Sequence, residues 1–182
     1  MKKTVLSETI LFSGDIPKQL KVDDKDYLIH ILKSHGKNSY LSDNSHHYTS
    51  LVKPLEYIKY NTFIFEWIEQ HFSMMYNKPL SIIQEQSLIL SPNQKTIPFH
   101  QQNNYNFEKA IDYIMYYVAD CDEAEIVLHY DNHKWKDLFK SIKLKPRQFL
   151  LLNSDTNHYI VNHSKDKELV LINTELMQVV RH

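Results

Sequence analysis

Glycine is almost missing from this chain: Gly14 and Gly36 are the only two in 182 residues, against a usual share of about 7%. That scarcity excludes the glycine-rich loops that cradle phosphates in dinucleotide-binding and P-loop proteins. Cysteine is scarcer still. With Cys121 alone, no internal disulfide and no cysteine-rich zinc site can form, so a metal would have to rely on histidines and carboxylates. Its surroundings, DCDEAE, are acidic and raise a thiol pKa, and no Gly-x-Ser-x-Gly elbow occurs, so nucleophilic hydrolase chemistry has little support. No apolar run approaches the roughly 18 residues of a membrane helix. The opening MKKTVLSETILFSGDIP lacks the uninterrupted apolar stretch and small-residue cleavage site of a secretory leader. A cytoplasmic protein without membrane association is expected. Net charge is also lacking: 21 Lys and Arg against 22 Asp and Glu give −1, with the lysines spread among acids, which leaves no electrostatic footprint for nucleic acid.

What is present is enough for one domain, 1–182, with a real core: 42% of the residues are hydrophobic and 24% charged, within the range of ordinary globular chains. Residues 22–33, VDDKDYLIHILK, begin acidic and end basic. Tyr27, Leu28, Ile31 and Leu32 fall on one helical stripe, and Gly36 closes the segment. Residues 38–50, NSYLSDNSHHYTS, are polar and read as a loop holding His46 and His47. Pro54 then suits the first turn of a long helix over 54–76, with Ile58, Ile64, Trp67, Ile68 and Phe72 on one broad face. From Pro79 the pattern changes to strands: PLSIIQEQSLIL, KTIPFH, KAIDYIMYYVAD and AEIVLHYD, with the densest β-branched and aromatic content at 110–118 and again at 169–172. The expectation is an α+β chain in which a mainly helical layer, 1–79, supports a β-sandwich core, 80–182.

The most informative stretch is 144–173, LKPRQFLLLNSDTNHYIVNHSKDKELVLIN. It reads as three short strands, the first opened by Pro146, punctuated by His158 in a polar turn. Upstream, His100 opens the polar HQQNN after the apolar run of 80–90. Two histidines bracketing a set of strands suggest a metal site in a β-sandwich.

The order of these pieces resembles the iron(II)/2-oxoglutarate-dependent oxygenases, in particular their small bacterial and phage members. Pro146, the apolar 149–152, Ser154, His158, Lys167 and Asn173 follow one another as in that family's distal pattern. The resemblance implies N-terminal helices packed on a double-stranded β-helix, a jelly-roll or cupin-like barrel. It also implies iron(II) as cofactor, 2-oxoglutarate as cosubstrate, and hydroxylation of an unidentified small molecule or peptide. Homo-oligomer formation stays open.

In such sites two histidines and a carboxylate hold one face of the iron and leave the remaining positions open. The first two ligands come as His-x-Asp, because residues two apart on an extended chain point the same way. Here His100 and Gln102 occupy that motif and His158 the distal position. Lys167, nine positions later, stands where an arginine normally anchors the far carboxylate of 2-oxoglutarate, and the same pattern points to Tyr117 as a hydrogen-bonding partner. Gln102 is neutral and binds iron less firmly than a carboxylate, while lysine supplies charge without the bidentate fork. Two alternatives stand beside this reading. One is a noncatalytic double-stranded β-helix module that has lost its metal carboxylate. The other is a cupin-like metal protein using His129 and Asp131, a literal His-x-Asp followed by His133. His163, at an odd interval from His158, would face away on a continuous strand.

Overall fold

The computed structural model describes residues 2–6, 9–19, 37–40, 46–50, 62–96, 111–133 and 136–179. Two antiparallel sheets and one helix account for them. The strands in chain order are β1 (Lys2–Leu6), β2 (Thr9–Asp15), β3 (Lys37–Tyr40), β4 (His46–Ser50), β5 (Leu80–Leu90), β6 (Tyr113–Asp120), β7 (Ala124–His133), β8 (Lys136–Lys143), β9 (Gln148–Asn153), β10 (Asn157–Asn162) and β11 (Leu169–Gln178). The helix, α1 (Thr62–Tyr76), lies between β4 and β5. Eight strands form the large sheet in the order β1-β2-β9-β6-β11-β5-β4-β3, and three form the small one in the order β10-β7-β8. From β6 onward the chain alternates between the sheets: β6 in the large, β7 and β8 in the small, β9 in the large, β10 in the small, β11 in the large.

Strand alternation gives each central strand of the large sheet two buried faces. On one face Phe12, Met115, Tyr117, Phe149, Leu151, Val170 and Ile172 meet Ile64, Ile68 and Phe72 of α1. Those three helix residues, four apart, form a single stripe and are fully buried. Aromatic rings fill the layer edge to face: Phe12 lies 5.5 Å from Phe72, and Trp67 6.0 Å from Phe149. On the other face Leu11, Ile114, Tyr116, Val118, Leu150, Leu152, Leu169 and Leu171 meet Ile126, Leu128 and Ile160 of the small sheet. The order is therefore helix, large sheet, small sheet, with two apolar layers between them.

With glycine so scarce, other residues take the left-handed positions. Asn77 (φ 52°) caps α1, its amide donating to Ser73 O at 2.7 Å, an αL cap of the kind asparagine tolerates. Arg147 (φ 67°) makes the turn before β9. The strain of a non-glycine residue there is offset by hydrogen bonds: its amide donates to Val118 O (2.8 Å) and its guanidinium to Pro17 O (2.6 Å).

Several expectations change. The segment read as a polar loop, 38–50, supplies β3 and β4, which extend the large sheet from β5 through Tyr48 opposite Ile89 and Thr49 opposite Leu88. Lys2–Leu6 and Thr9–Asp15 form β1 and β2, with Leu11 opposite Leu152 of β9. In place of a helical layer over 1–79, the described residues there contain four strands and one helix. Only 62–76 of the expected 54–76 helix is described, and the helix expected over 22–33 lies outside the described residues. Pro146 sits in the turn before β9 rather than at its start, and β8 was not expected at all.

Candidate functional site

His158 lies on a strand, not in the polar turn assigned to it; the turn is Ser154–Asp155, and β10 begins at Asn157. Along β10, His158, Ile160 and Asn162 are buried while the residues between them are half-buried. The buried set faces the large sheet, since Ile160 packs in the layer between the sheets and His158 stands opposite inward-facing Leu128 of β7. At 2% exposure the imidazole can persist only with its polar atoms satisfied. Nδ1 lies 2.7 Å from Thr156 O and therefore carries the proton it donates. That leaves Nε2 with the lone pair, and the Tyr116 hydroxyl donates to it at 2.7 Å. The two rings meet edge to face at 5.4 Å. Burial pushes the His158 pKa below the ordinary histidine value, with the Thr156 carbonyl opposing. Burial also raises the Tyr116 phenol well above its usual range, helped by the charge of Glu175. The result is a neutral, hydrogen-bonded pair spanning the two sheets.

The interior face near this pair carries further polar groups. Asn173 of β11 is directly opposite Tyr116 and so shares its face. Its Oδ1 is buried and without a hydrogen-bond partner among the described residues, as is Thr156 Oγ1. Glu175, opposite Ile114 on the same face, has its carboxyl pKa raised by burial.

Tyr117, the tyrosine expected at the cosubstrate, points the other way. It is buried among Phe12, Ile64 and Phe149 on the helix side, and burial pushes its phenol up to about 12, against the opposing charge of Arg147. Both faces of β6 are apolar, so alternation in the sequence could not show which tyrosine looks inward; the register with β11 decides it.

Lys167 lies in the connection between β10 and β11. Its ammonium is 3.2 Å from Asp120 Oδ1 and 3.5 Å from Cys121 O, and its carbonyl accepts from Asn162 Nδ2 at 2.9 Å. Asn162 is four residues along β10 from His158, a separation of about 13 Å at the usual strand rise. Lys167 thus stands at the far end of β10 and is not brought to His158.

His129 of β7 pairs with Asn157 of β10 and Phe139 of β8, on the outer face of the small sheet. Its ring stacks on exposed Phe139 at 4.8 Å and 15°. Asp131 follows on the same strand, opposite Asp137. The small sheet separates His129 from His158, so these two histidines do not face each other. His163 stands outside the barrel, 3.0 Å from Glu125 Oε1. His46 and His47 lie on β4.

His100 and Gln102 lie outside the described residues. The chain leading to them is placed up to Thr96: Lys95 bridges Val161, Thr96 N donates to Ile160 O (2.8 Å), and Asn162 N donates to Gln94 O (2.8 Å). This antiparallel contact lies alongside β10 and runs toward its His158 end. Among the described residues no group of three His, Cys, Asp or Glu could hold an ion.

The architecture defines a class: the chain has a double-stranded β-helix-like fold, shared with 2-oxoglutarate/iron(II) oxygenases. A 2OG-Fe(II) oxygenase-family oxidoreductase from Burkholderia pseudomallei matches with TM-score 0.62 at 9% identity, over 90% of this chain and 84% of the other. The viral collagen prolyl hydroxylase of Paramecium bursaria Chlorella virus-1 matches with TM-score 0.58 at 14% identity, over 93% and 96%. A prolyl hydroxylase from Trichoplax adhaerens, solved with a hypoxia inducible factor peptide fragment, matches with TM-score 0.61 at 10% identity, over 93% and 84%. No protein-family model and no curated protein matches the sequence. At these identities the likeness establishes the fold alone.

Proposed function

We propose that this protein is an iron(II)/2-oxoglutarate-dependent oxygenase acting on a small-molecule or peptide substrate. The observation that carries the reading is the placement of His158 at the start of β10, facing inward, with Nδ1 tied to Thr156 O. A backbone acceptor on one ring nitrogen is the usual means of fixing an imidazole so that the other presents its lone pair to a metal. This donor fits the group. Lys95 and Thr96 lie alongside Val161 and Ile160 of β10. On the family pattern His100 would be the second histidine, with Gln102 as the neutral third member. When bound, iron and 2-oxoglutarate would supply oxidative chemistry with dioxygen as the oxidant, one oxygen atom passing to the succinate formed as carbon dioxide leaves and the other to the hydroxylated substrate. This chain's part is to orient His158, keep water out with the apolar layer around Ile126, Leu128 and Ile160, and offer Tyr116, rather than Tyr117, as the interior hydroxyl. For Lys167 to anchor the cosubstrate, it would have to exchange Asp120 for the incoming carboxylate.

Succinate release from 2-oxoglutarate by the purified protein with iron(II) and dioxygen, compared with His158→Ala, tests this reading. Succinate formed by the wild type and abolished in the variant supports it; none from either contradicts it.

A specific observation favours a second reading, a noncatalytic binding module on the same scaffold. The Tyr116 hydroxyl already satisfies His158 Nε2, so the buried pair is complete without an ion, and Gln102 supplies no charge to offset one.

A further inference from the structure

Glu175 is a carboxylate without a counter-charge. It stands on β11 in register with Ile114, which belongs to the apolar layer between the sheets, so its side chain is on the interior face. It is half-buried, yet among the described residues no ion pair and no hydrogen bond reaches it. Burial alone acts on its carboxyl pKa, which rises; a neighbouring cation would pull it down. Its charge in turn raises the Tyr116 phenol, which puts the carboxylate in the field of the group bonded to His158. Two residues back on the same face, Asn173 holds a buried Oδ1 with no partner among the described residues, and so does Thr156 at its Oγ1, in a residue 3% exposed. On its other side Glu175 is opposite exposed Gln84 of β5, so it lies where a ligand can reach it from solvent. Carboxylate and amide oxygens accept hydrogen bonds and cannot donate them. Half-buried acceptors of this kind, left unmet, are costly, and the group that complements them is a cation carrying several N–H donors.

We propose that this interior binds the ammonium or guanidinium group of its substrate, with Glu175 as the carboxylate that selects it. The inference names the substrate class of the interior described under the proposed function, and rests on that reading only in calling the ligand a substrate. The same cationic chemistry is offered by a basic side chain in a peptide and by a free alkylamine. Either brings the charge that Glu175 lacks, and with it the donors that the acceptor face can use.

The test is a ligand-observed NMR titration of the full chain without added metal. The probes are a capped Ala-Lys-Ala peptide, its counterpart with neutral norleucine in place of lysine, n-pentylamine and n-pentanol. Wild type should bind at least one cation about five- to tenfold more tightly than its neutral counterpart, the scale of one charge-assisted hydrogen bond reduced for a half-exposed carboxylate. The cation with the larger preference, peptide or amine, identifies the source. Glu175→Gln keeps the shape and should abolish the preference without weakening the neutral probes. Glu175→Lys should turn the peptide preference toward a capped Ala-Glu-Ala. A general packing defect would weaken all probes alike. Cations bound no better than their neutral counterparts by wild type, no binding of any probe, or a preference that survives in Glu175→Gln overturns the proposal. With no iron or 2-oxoglutarate present, these outcomes are separate from the succinate assay. Succinate formed without a cation preference keeps the oxygenase reading and overturns this substrate class; a cation preference that Glu175→Gln abolishes, without succinate, supports the cation site and leaves a binding module on this scaffold.

Discussion

Asn162 makes the sharpest stability claim. It is 1% exposed at the end of β10. Its Nδ2 donates to Leu90 O (3.0 Å), Ser91 O (3.2 Å) and Lys167 O (2.9 Å), while its Oδ1 accepts from Ser164 N (3.1 Å). One side chain thereby ties the small sheet to the end of β5 in the large sheet and closes the connection to β11. Asn162→Ala removes all four contacts and leaves the Leu90 carbonyl and the Ser164 amide, both buried, without this partner. Two hydrogens shared among three acceptors, plus one accepted bond, amount to about three net hydrogen bonds. At about 1 kcal/mol each, with something added for unmet partners, the loss is about 3–4 kcal/mol. Urea unfolding followed by tryptophan fluorescence should show the midpoint lowered by more than about 1 M, for an m-value of about 2–3 kcal/mol/M. Asn162→Asp should be at least as damaging at pH 7, because a carboxylate would face three carbonyl oxygens with no proton to give, and should recover partly in acid. A midpoint shift below about 0.3 M for Asn162→Ala at unchanged m, or near-native stability for Asn162→Asp, would refute the role given to this clamp.

Three further outcomes are expected. Phe72→Ala empties the centre of the layer between α1 and the large sheet, where the ring contacts Phe12 and Tyr113, and should cost about 3–5 kcal/mol in denaturant unfolding; a loss under about 1 kcal/mol would show that α1 does not pack as described. Because burial lowers the folded-state pKa of His158, the unfolded chain binds its proton first. This contribution to stability is therefore complete above the unfolded histidine pKa of about 6.5 and is lost as pH falls below it. Midpoints measured from pH 8 to 5 should fall more steeply for wild type than for His158→Gln, and parallel profiles would argue against a neutral buried imidazole. Cys121 is buried, and its thiol is pushed up to about 11, chiefly by burial and by Asp120. A disulfide reagent at neutral pH should label the native protein far more slowly than the unfolded one; equal rates would contradict that placement.

The parts of the fold legible in the sequence were those whose own residues are densely or periodically apolar. The stripe of Ile64, Ile68 and Phe72 gave α1, and the apolar runs of β5, β6, β9 and β11 gave the central strands of the large sheet. The strands that escaped notice are polar or at edges. β3 and β4, KNSY and HHYTS, carry turn-type residues, and their pairing is set by β5 rather than by their own pattern. β8, KDLFKSIK, is an edge strand whose inward Ile142 packs opposite Ile126 while Phe139 lies exposed. At the site, spacing picked out His158, yet Asn and Thr around it read as a turn where the small sheet imposes a strand. The choice between Tyr116 and Tyr117 could not be read from MYYVAD, because helix and small sheet bury both faces of β6. That His129 faces away from His158 follows from the register of β7 with β8 and β10 rather than from the sequence.

The central claim is that His158 presents Nε2 to a metal in the interior of this barrel. The measurement that tests it most directly is an anaerobic iron(II) titration with and without 2-oxoglutarate, following the weak visible charge-transfer band of the chelate, in wild type and His158→Ala. The account predicts a band that requires both additions in the wild type and is absent from the variant. A wild-type protein that shows neither iron binding nor the band, or a His158→Ala variant that retains both, would contradict it.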